Sequence, residues 1–359
     1  MEENSPLLSD PTPWQRFRRN RVAMGSLYTI IAICVLAFIT PALPLQAPRM
    51  IQTENQFQGP KFYPLFVETI KLPGDEGVDP NADPLQVGFG QLGPVARKML
   101  EFRVAVFGRW SINSVCGTDA LGRDLFSRIF WGARVSLIVA LVATAVSLII
   151  GVSYGTFSGY VGGQVDNLMM RFVDVLYSIP FIFIVIFIVT ILGAEQNRDW
   201  LESHGINRIT IFYLVTGAIY WLTMARVVRG QTLSLKNEPF VEAARSLGAG
   251  TWRILTVHLI PNLTSVIIVY LTLTIPRVIL FEAFLSFLGL GVEQPDVSWG
   301  LLARDGVNAV NSVKIYWWLV VYPSMALGLT LFALNFLGDG LRDAFDPKLK
   351  NNQLLAPSY

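Results

Sequence analysis

Six long stretches of the sequence contain no Asp, Glu, Lys or Arg, and they constrain the fold more than any other feature. These uncharged stretches are residues 22–48, 135–165, 175–194, 209–225, 254–276 and 315–338. A helix in a soluble domain needs a polar face toward water, whereas a bilayer core about 30 Å thick is crossed by a helix of roughly 20 apolar residues. The sequence therefore predicts an all-α integral membrane protein with six transmembrane helices.

The composition agrees with a membrane protein and excludes several other classes. Of the 359 residues, 15% are charged and 52% are hydrophobic, while soluble domains average about 25% charged residues. The formal net charge is only +2 and the sequence has no basic patch with interleaved aromatics, which argues against nucleic-acid binding. Two cysteines and two histidines leave little material for a disulfide framework or a metal centre.

The first uncharged stretch follows a basic segment, as the core of a signal peptide does. Its apolar run is longer than the roughly 7–15 residues of such a core, and no Ala-x-Ala cleavage site follows it. We therefore expect an N-terminal arm at residues 1–22 and a retained transmembrane helix at residues 23–45.

The distribution of positive charge predicts the orientation, because Lys and Arg concentrate in the cytoplasmic segments that flank membrane helices. With a cytoplasmic N-terminus, the cytoplasmic segments hold thirteen such residues and the two short external loops hold four. The thirteen are Arg16, Arg18, Arg19, Arg21, Arg171, Arg226, Arg229, Lys236, Arg245, Arg253, Arg342, Lys348 and Lys350, and the four are Arg198, Arg208, Arg304 and Lys314. Both termini are therefore predicted to be cytoplasmic.

The remaining segments follow from the same pattern. Residues 46–120 form an external insertion that we predict to be irregular, because Pro and Gly recur through it. The aromatic residues 62–67 within it indicate either short strands or surface packing. Residues 121–350 form the membrane core, and residues 351–359 form a cytoplasmic tail. The remaining transmembrane helices are expected at residues 135–157, 175–194, 209–228, 259–281 and 315–337.

Two carboxylates, Asp119 and Asp124, precede the second transmembrane helix and admit two interpretations. Carboxylates bind divalent cations, but few other ligands lie nearby, so the sequence favours turn and helix-capping roles. After them, Phe126 and Ile129 share a helical face opposite Arg128. This pattern predicts an interfacial helix that leads into the second transmembrane helix.

Three glycines, Gly151, Gly155 and Gly159, recur at every fourth residue of the second uncharged stretch. Glycines at this spacing form a flat strip that lets another helix approach closely. We therefore expect them to be helix-packing residues, and the pattern indicates nothing about a substrate.

The loop between the fourth and fifth transmembrane helices, residues 237–258, predicts a cytoplasmic helix-turn-helix. Asn237 or Glu238 can cap a helix whose first turn contains Pro239. Gly248 is placed to end that helix in a left-handed conformation.

An apolar face on this loop helix is predicted from helical spacing. The face consists of Phe240, Ala243, Ala244 and Leu247. A second short helix is expected to begin at Thr251 and to end at Pro261. Since an isolated helix of about ten residues is marginal in water, the apolar face must dock either on the chain's own helices or on a soluble partner.

The loop resembles the cytoplasmic signature of ABC importer permeases, because it contains Glu242-Ala243-Ala244, then Gly248, and thirteen residues later Pro261. Six further motifs, in the same order, resemble the C-type permease subunits of oligopeptide and dipeptide transporters. These motifs occupy residues 117–124, 158–163, 225–231, 284–291, 298–300 and 338–347. The resemblance covers residues 12–43 and 115–350, and the chain departs from it in an external insertion that is longer than the family's short connector.

This resemblance implies a multi-pass permease of the bacterial inner membrane. In the family, two homologous permease subunits form the pore, and two cytoplasmic ATPase subunits bind ATP and Mg²⁺ and power it. A periplasmic or lipid-anchored substrate-binding protein delivers the peptide. The cargo implied is a dipeptide or oligopeptide, with a nickel chelate or glutathione as alternatives in the same family.

The resemblance also implies that this chain is not an enzyme, and that it holds no catalytic, cofactor or metal site of its own. The sequence agrees, since it contains no Gly-x4-Gly-Lys-Ser/Thr phosphate cradle. Residues 238–257 would be the coupling element that sits in a cleft of one ATPase subunit. The ATPase-coupling residues implied are Phe240, Glu242, Ala243, Ala244, Leu247, Gly248 and Pro261. Glu242 pairs either with a basic residue of the ATPase or with Arg245 of its own helix.

Two other function classes are alternatives, namely a stand-alone secondary transporter or channel and a membrane enzyme. A secondary transporter usually places charges at midspan, and the first four and the last predicted helices have no charge there. An enzyme needs convergent catalytic groups, and neither His204 nor His258 has an acidic cluster beside it. Arg277 and Glu282, near the outer end of the fifth helix, are expected to take an interfacial or subunit-contact role.

Overall fold

The computed structural model describes residues 12–61, 66–68, 83–90, 92–192, 194, 208–310 and 314–345, and these residues are mostly helical. Predictions for residues 1–11, 195–207 and 346–359 lie outside this range. The helices are α1 (Pro13–Arg19), α2 (Arg21–Ile39), α3 (Pro84–Phe89), α4 (Pro94–Phe107), α5 (Leu125–Val161), α6 (Gly163–Ser178), α7 (Phe181–Leu192), α8 (Arg208–Leu235), α9 (Pro239–Ser246), α10 (Thr251–Phe287), α11 (Trp299–Asn308) and α12 (Trp318–Phe345). Two short strands, β1 (Phe66–Glu68) and β2 (Trp110–Ile112), pair antiparallel.

Four helical segments in the described residues are long and apolar enough to cross a bilayer. They are Arg21–Ala42, Leu125–Val161, Thr251–Phe287 and Trp318–Phe345, and they contain the first, second, fifth and sixth predicted transmembrane helices. The third predicted helix falls on α6 and α7, which together qualify as a fifth candidate but meet at an angle of 79°. The fourth lies in the first part of α8, and its crossing of the membrane stays a prediction.

The bend between α6 and α7 lies at Pro180. Ile179 ends α6 in an extended conformation, with φ of −82° and ψ of 124°. A residue that precedes proline is driven out of the helical region by the proline ring. Pro276, in contrast, lies inside the continuous helix α10.

The helical core forms where the long helices meet. α5 packs along α8 and also contacts α10, while α2 and α10 both pack on α12. The side chains at the centre are small or branched and fully or almost fully buried, namely Val139, Ala140, Ala143, Val185, Val215, Val278, Ile279, Leu285 and Leu334. Branched and small side chains at these positions let long helices approach without leaving gaps.

The external insertion is more regular than the sequence suggests. It contains α3 and α4 and the two-stranded sheet, in which Phe66 lies opposite Ile112. Arg103 of α4 is fully buried, and its guanidinium donates to the carbonyl oxygens of Leu45 and Trp110. Burial lowers the pKa of Arg103 to about 10, and the buried cation joins α4 to the chain that leaves the first transmembrane helix.

The prediction of an interfacial helix with Arg128 opposite its apolar face is wrong, because α5 continues without a break to Val161 and Arg128 is fully buried. Arg128 pairs with Asp119, and its guanidinium lies 3.4 Å from the Asp305 carboxylate. The apolar side of the turn, including Ile129, is less buried than the charged side. Because Arg128 has carboxylate partners, its side of the helix is the buried one, which is the reverse of what the amphipathic pattern predicts.

The carboxylates of Asp119 and Asp124, in the turn before α5, have the turn and helix-capping roles that the sequence favours. Asp124 caps α5 by accepting from the backbone N–H groups of Phe126 and Ser127. Asp119 accepts from the backbone N–H groups of Leu121 and Arg123. Within the described ranges, no group of three or more His, Cys, Asp or Glu side chains is arranged to hold a metal ion.

Candidate functional site

Local signals at both ends define α9, the helix of the loop between α8 and α10. Glu238 is extended before it and Pro239 occupies its first turn, where a missing N–H costs no hydrogen bond. Gly248 follows with a φ of +82°, and the Ala249 N–H donates to the Ala244 carbonyl at 3.0 Å. This is the long bond of a Schellman cap, so α9 begins and ends as the sequence predicts.

The inner side of α9 fixes the helix to the start of α10. Val241 is fully buried and Ala244 is nearly so, and both pack against Ile254, Leu255 and Leu259. The structure thus divides the apolar face predicted from spacing, because Ala244 lies on the inner side. The remaining members of that face lie on the other side of the helix.

The outer side of α9 is an exposed apolar surface. Phe240 is 37% exposed and Leu247 is 89% exposed, and Ala243 is exposed between them. Trp252, at the start of α10, is 75% exposed, and sequence reasoning missed it because a single Trp after a turn has no periodic partner. We call Phe240, Ala243, Leu247 and Trp252 the loop surface.

The charged residues of α9 do not pair with each other. Arg245 places its guanidinium 5.6 Å from the centre of the Tyr160 ring at the end of α5. Among the residues that the structure describes, Glu242 is exposed and forms no ion pair. The internal Glu242–Arg245 pair is therefore not formed, and Glu242 is available to a partner.

Pro261 does not end a second helix, which corrects the sequence prediction. α10 runs continuously through it, and residues Ile254–Leu259 form a π-helical segment directly before it. In a regular α-helix the proline ring would clash with the carbonyl four residues earlier. A wider π turn at that point accommodates the ring, so the loop and the long helix form one element.

A polar cluster ties α6 to α8 near the loop. The Arg229 guanidinium donates twice to the Asp166 carboxylate, each time at 2.6 Å. Ser158, at the end of α5, donates to the same carboxylate at 2.5 Å. Arg226 pairs with Asp174 at 2.8 Å. A bidentate Arg–carboxylate pair is directional, so these contacts fix how α5, α6 and α8 sit together at this end.

The three predicted packing glycines all face α8. A Cβ added at Gly151 would lie 2.6 Å from the Cβ of Met224, and one at Gly159 would lie 2.8 Å from the Cβ of Thr232. At Gly155 the added Cβ would overlap the carbonyl oxygen of Ala225. The backbones of α5 and α8 therefore approach more closely than any larger residue allows.

Family models match both ends of the chain. A model described as a binding-protein-dependent transport system inner membrane component matches residues 151–351, which include the loop surface. A model described as the N-terminal TM domain of oligopeptide transport permease C matches residues 12–60.

Several characterised permeases are similar to the chain in sequence. The dipeptide transport system permease protein DppC of Bacillus subtilis is 37% identical over 338 residues, which are 94% of this chain and 85% of that protein. The oligopeptide transport system permease protein OppC of Haemophilus influenzae is 50% identical over 65% of this chain and 70% of that protein. The glutathione transport system permease protein GsiD of Pectobacterium atrosepticum is 40% identical over 66% of this chain and 73% of that protein. The chain therefore belongs to the binding-protein-dependent inner membrane components, the permease family of ABC transporters.

Proposed function

We propose that this chain is one of two pore-forming permease subunits of an ATP-driven peptide importer in the bacterial inner membrane. The similarity to DppC over nearly the whole chain supports peptides as the cargo. A second homologous permease subunit completes the pore, two cytoplasmic ATPase subunits drive it, and a periplasmic or lipid-anchored binding protein delivers the peptide. Glutathione is the second candidate cargo, because GsiD is also similar to this chain.

Six transmembrane helices with both termini in the cytoplasm complete the proposed architecture. α8 is a single helix of 28 residues, and at 1.5 Å per residue it is about 42 Å long, which exceeds a hydrocarbon core of about 30 Å. With α8 as the fourth transmembrane helix, α9 and its loop lie on the cytoplasmic side. Arg226, Arg229 and Lys236 precede the loop on that side, in agreement with the positive-inside rule.

The loop surface is the proposed ATPase-docking element, and its exposure is the observation that carries the proposal. An apolar helix face that is held in place from behind by Val241 and left open in front has the form of a helix that enters a groove. In this role Phe240, Ala243, Leu247 and Gly248 contact the ATPase, and Glu242 is free to pair with a basic residue there.

Mechanical coupling follows from the continuity of α10. Because α9 packs on the first turns of α10, a displacement of the loop surface moves the long helix with it. The ATP and Mg²⁺ that supply this displacement bind to the ATPase subunits, since this chain has no phosphate-binding loop sequence. In this proposal ATP hydrolysis therefore takes place on the ATPase subunits.

A pair of charge substitutions tests the docking role. Leu247→Asp places a carboxylate on the exposed apolar stripe, whereas Ser246→Asp places the same charge on the same helix but about 100° away around its axis. Both side chains are exposed in the chain alone, so neither change removes an internal contact. The complex is purified through a tag on this chain, and ATPase retention and ATP-driven peptide uptake into proteoliposomes are measured.

Leu247→Asp is expected to lower both quantities at least about tenfold, because burying an unpaired charge in an apolar interface is costly. Ser246→Asp is expected to retain most of the activity. Full ATPase retention in the Leu247→Asp complex would contradict the docking assignment, and uptake that proceeds without ATP would contradict the proposed function as a whole.

A further inference from the structure

Arg277 is an exposed cation at membrane depth. It lies in α10 four residues before the end of the fifth predicted transmembrane helix, and its side chain is exposed in the chain alone. Leu280 and Phe284, three and seven residues further along, are 55% and 47% exposed, so all three share one open stripe of the helix. A charge at this depth is unfavourable against lipid and faces either a water-filled path or another protein.

The nearby carboxylate of Glu282 does not neutralise Arg277. Glu282 lies five residues after Arg277 in the same helix, so its side chain points about 140° away from that of Arg277 around the axis. Glu282 is fully buried, where it accepts hydrogen bonds from Ser136 and Ser286 at 2.8 Å. In the part of the chain that the structure describes, no carboxylate forms an ion pair with Arg277. The guanidinium thus has five donors to offer to a ligand from outside the chain.

A cluster of three aromatic rings, those of Phe181, Tyr220 and Phe281, contacts the backbone of α10 at Arg277. The Tyr220 hydroxyl donates to the Arg277 carbonyl oxygen at 3.3 Å. The Phe181 ring lies between Tyr220 and Phe281, with its centre 6.2 Å from the first and 4.7 Å from the second. Beside this cluster, at the bend between α6 and α7, lies a cavity of about 490 Å³ that Tyr177, Phe181 and Tyr220 line. This volume is within the range of small-molecule sites, roughly 300–1,000 Å³.

We propose that Arg277 is a carboxylate-binding residue of the transport path and that it contacts the C-terminal carboxylate of the peptide in transit. The inference rests on the proposed function, which makes this chain half of a pore for peptides. A guanidinium binds a carboxylate through two parallel hydrogen bonds, and the C-terminal carboxylate is the one anionic group that all unmodified linear peptides share. The aromatic wall beside it accepts varied side chains without selecting among them, because apolar surface is non-directional.

The test compares two cargoes in the complete transporter. ATP-driven uptake into proteoliposomes is measured for a peptide with a free C-terminal carboxylate and for its C-terminal amide, each relative to the unaltered complex. The variants are Arg277→Gln, Arg277→Lys and, as a matched control, Arg97→Gln on the exposed surface of α4. A benzoylphenylalanine in place of Leu280 provides a second readout, the photocrosslink to the free-acid peptide.

Arg277→Gln is expected to lower uptake of the free acid at least about tenfold and that of the amide less than twofold, and to abolish the crosslink while ATPase activity is retained. Arg277→Lys keeps most of the free-acid uptake, and Arg97→Gln keeps all of it. The inference would be overturned by an equal loss of uptake for both cargoes or by no loss for either. It would also be overturned if the second permease subunit failed to co-purify, because Arg277 would then pair with a carboxylate of that subunit. If the unaltered complex shows no ATP-dependent peptide uptake, the proposed function fails instead.

Discussion

At the scale of single residues, Gly155 sets how closely two helices approach. Its backbone faces α8 so tightly that an added Cβ would overlap the Ala225 carbonyl oxygen and lie 3.0 Å from the backbone nitrogen of Arg229. These neighbours are backbone atoms of a continuous helix, so they cannot turn away as a flexible side chain can. Gly328, in α12, is a matched contrast because an added Cβ there meets nothing within 4 Å.

Gly155→Ala is expected to destabilise the protein by about 1–3 kcal/mol, the usual cost of forcing an extra methyl group into a packed contact. Gly328→Ala is expected to be neutral or slightly stabilising, because Ala is the better helix former. Thermal unfolding of the two purified variants in the same detergent measures the difference. Equal melting temperatures would mean that α5 and α8 do not depend on this contact.

Residues whose structure depends on short-range rules could be predicted from the sequence. Pro239 and Gly248 mark the ends of α9 because a missing N–H and a positive φ are local requirements. Ala244, Trp252 and Arg128 could not be assigned to the right face, because their burial depends on segments distant in the sequence. The buried Arg128 pairs not only with Asp119, nine residues before it, but also with Asp305, 177 residues away.

At the scale of elements, an ion-pair cluster joins the start of α5 to α11. Asp119 pairs with Arg123 at 2.7 Å and also with Arg128, and Asp305 lies 3.7 Å from Arg123 and 3.4 Å from Arg128. The two arginine side chains are 7% and 1% exposed. Both carboxylates are needed to compensate the two buried guanidinium charges, because water is not available to either cation as an alternative partner.

Asp119→Asn is expected to lower stability by about 3–5 kcal/mol, because it leaves a buried charge uncompensated. Glu101→Gln is the control, since Glu101 pairs with Arg97 on the surface of α4, where both side chains are more than half exposed, and such pairs contribute about 0–1 kcal/mol. Melting temperatures of both variants in detergent measure the contrast. A similar fall in melting temperature in both variants would show that burial does not determine how much the cluster contributes to stability.

The element boundaries show the same division between local and distant causes. The long uncharged stretches fall on α2, α5, α10 and α12 because apolar length is a property of each segment alone. The sequence allows a strand where β1 forms, but it does not predict β2 or α4. The strand β2 depends on its distant partner, with Phe66 opposite Ile112, and α4 is fixed by the buried Arg103. The sequence also predicts a helix end at Pro261, which the preceding π segment removes.

At the scale of the whole molecule, α10 links the features that the proposals use. Its first turns carry α9 and the loop surface, its exposed stripe carries Arg277, and its last turns hold the buried Glu282 against Ser136 of α5. A continuous helix transmits a displacement at one end to the other, because its hydrogen-bonded turns resist bending. The proposed docking surface and the proposed cargo contact therefore lie on one mechanically continuous element.

Membrane topology gives the last prediction, and it tests whether α8 crosses the bilayer. Between residues 80 and 250 the proposed architecture has three crossings, so the two positions lie on opposite sides of the membrane. Single cysteines are introduced as Pro80→Cys and Gly250→Cys in a chain whose native thiols, Cys34 and Cys116, are replaced by alanine. Gly250 accepts a side chain without strain, because its φ is −68° and an added Cβ meets nothing within 4 Å.

A membrane-impermeant maleimide applied to intact spheroplasts is expected to label the Pro80→Cys variant and to label the Gly250→Cys variant only after permeabilisation. Uptake of peptide by both variants serves as the control that the chain is inserted and active. Labelling of both positions from outside would mean an even number of crossings between them, so that α8 or the bent α6–α7 pair would not cross the membrane. Labelling of Gly250→Cys alone would reverse the orientation, place the loop surface outside the cell and separate it from any cytoplasmic ATPase.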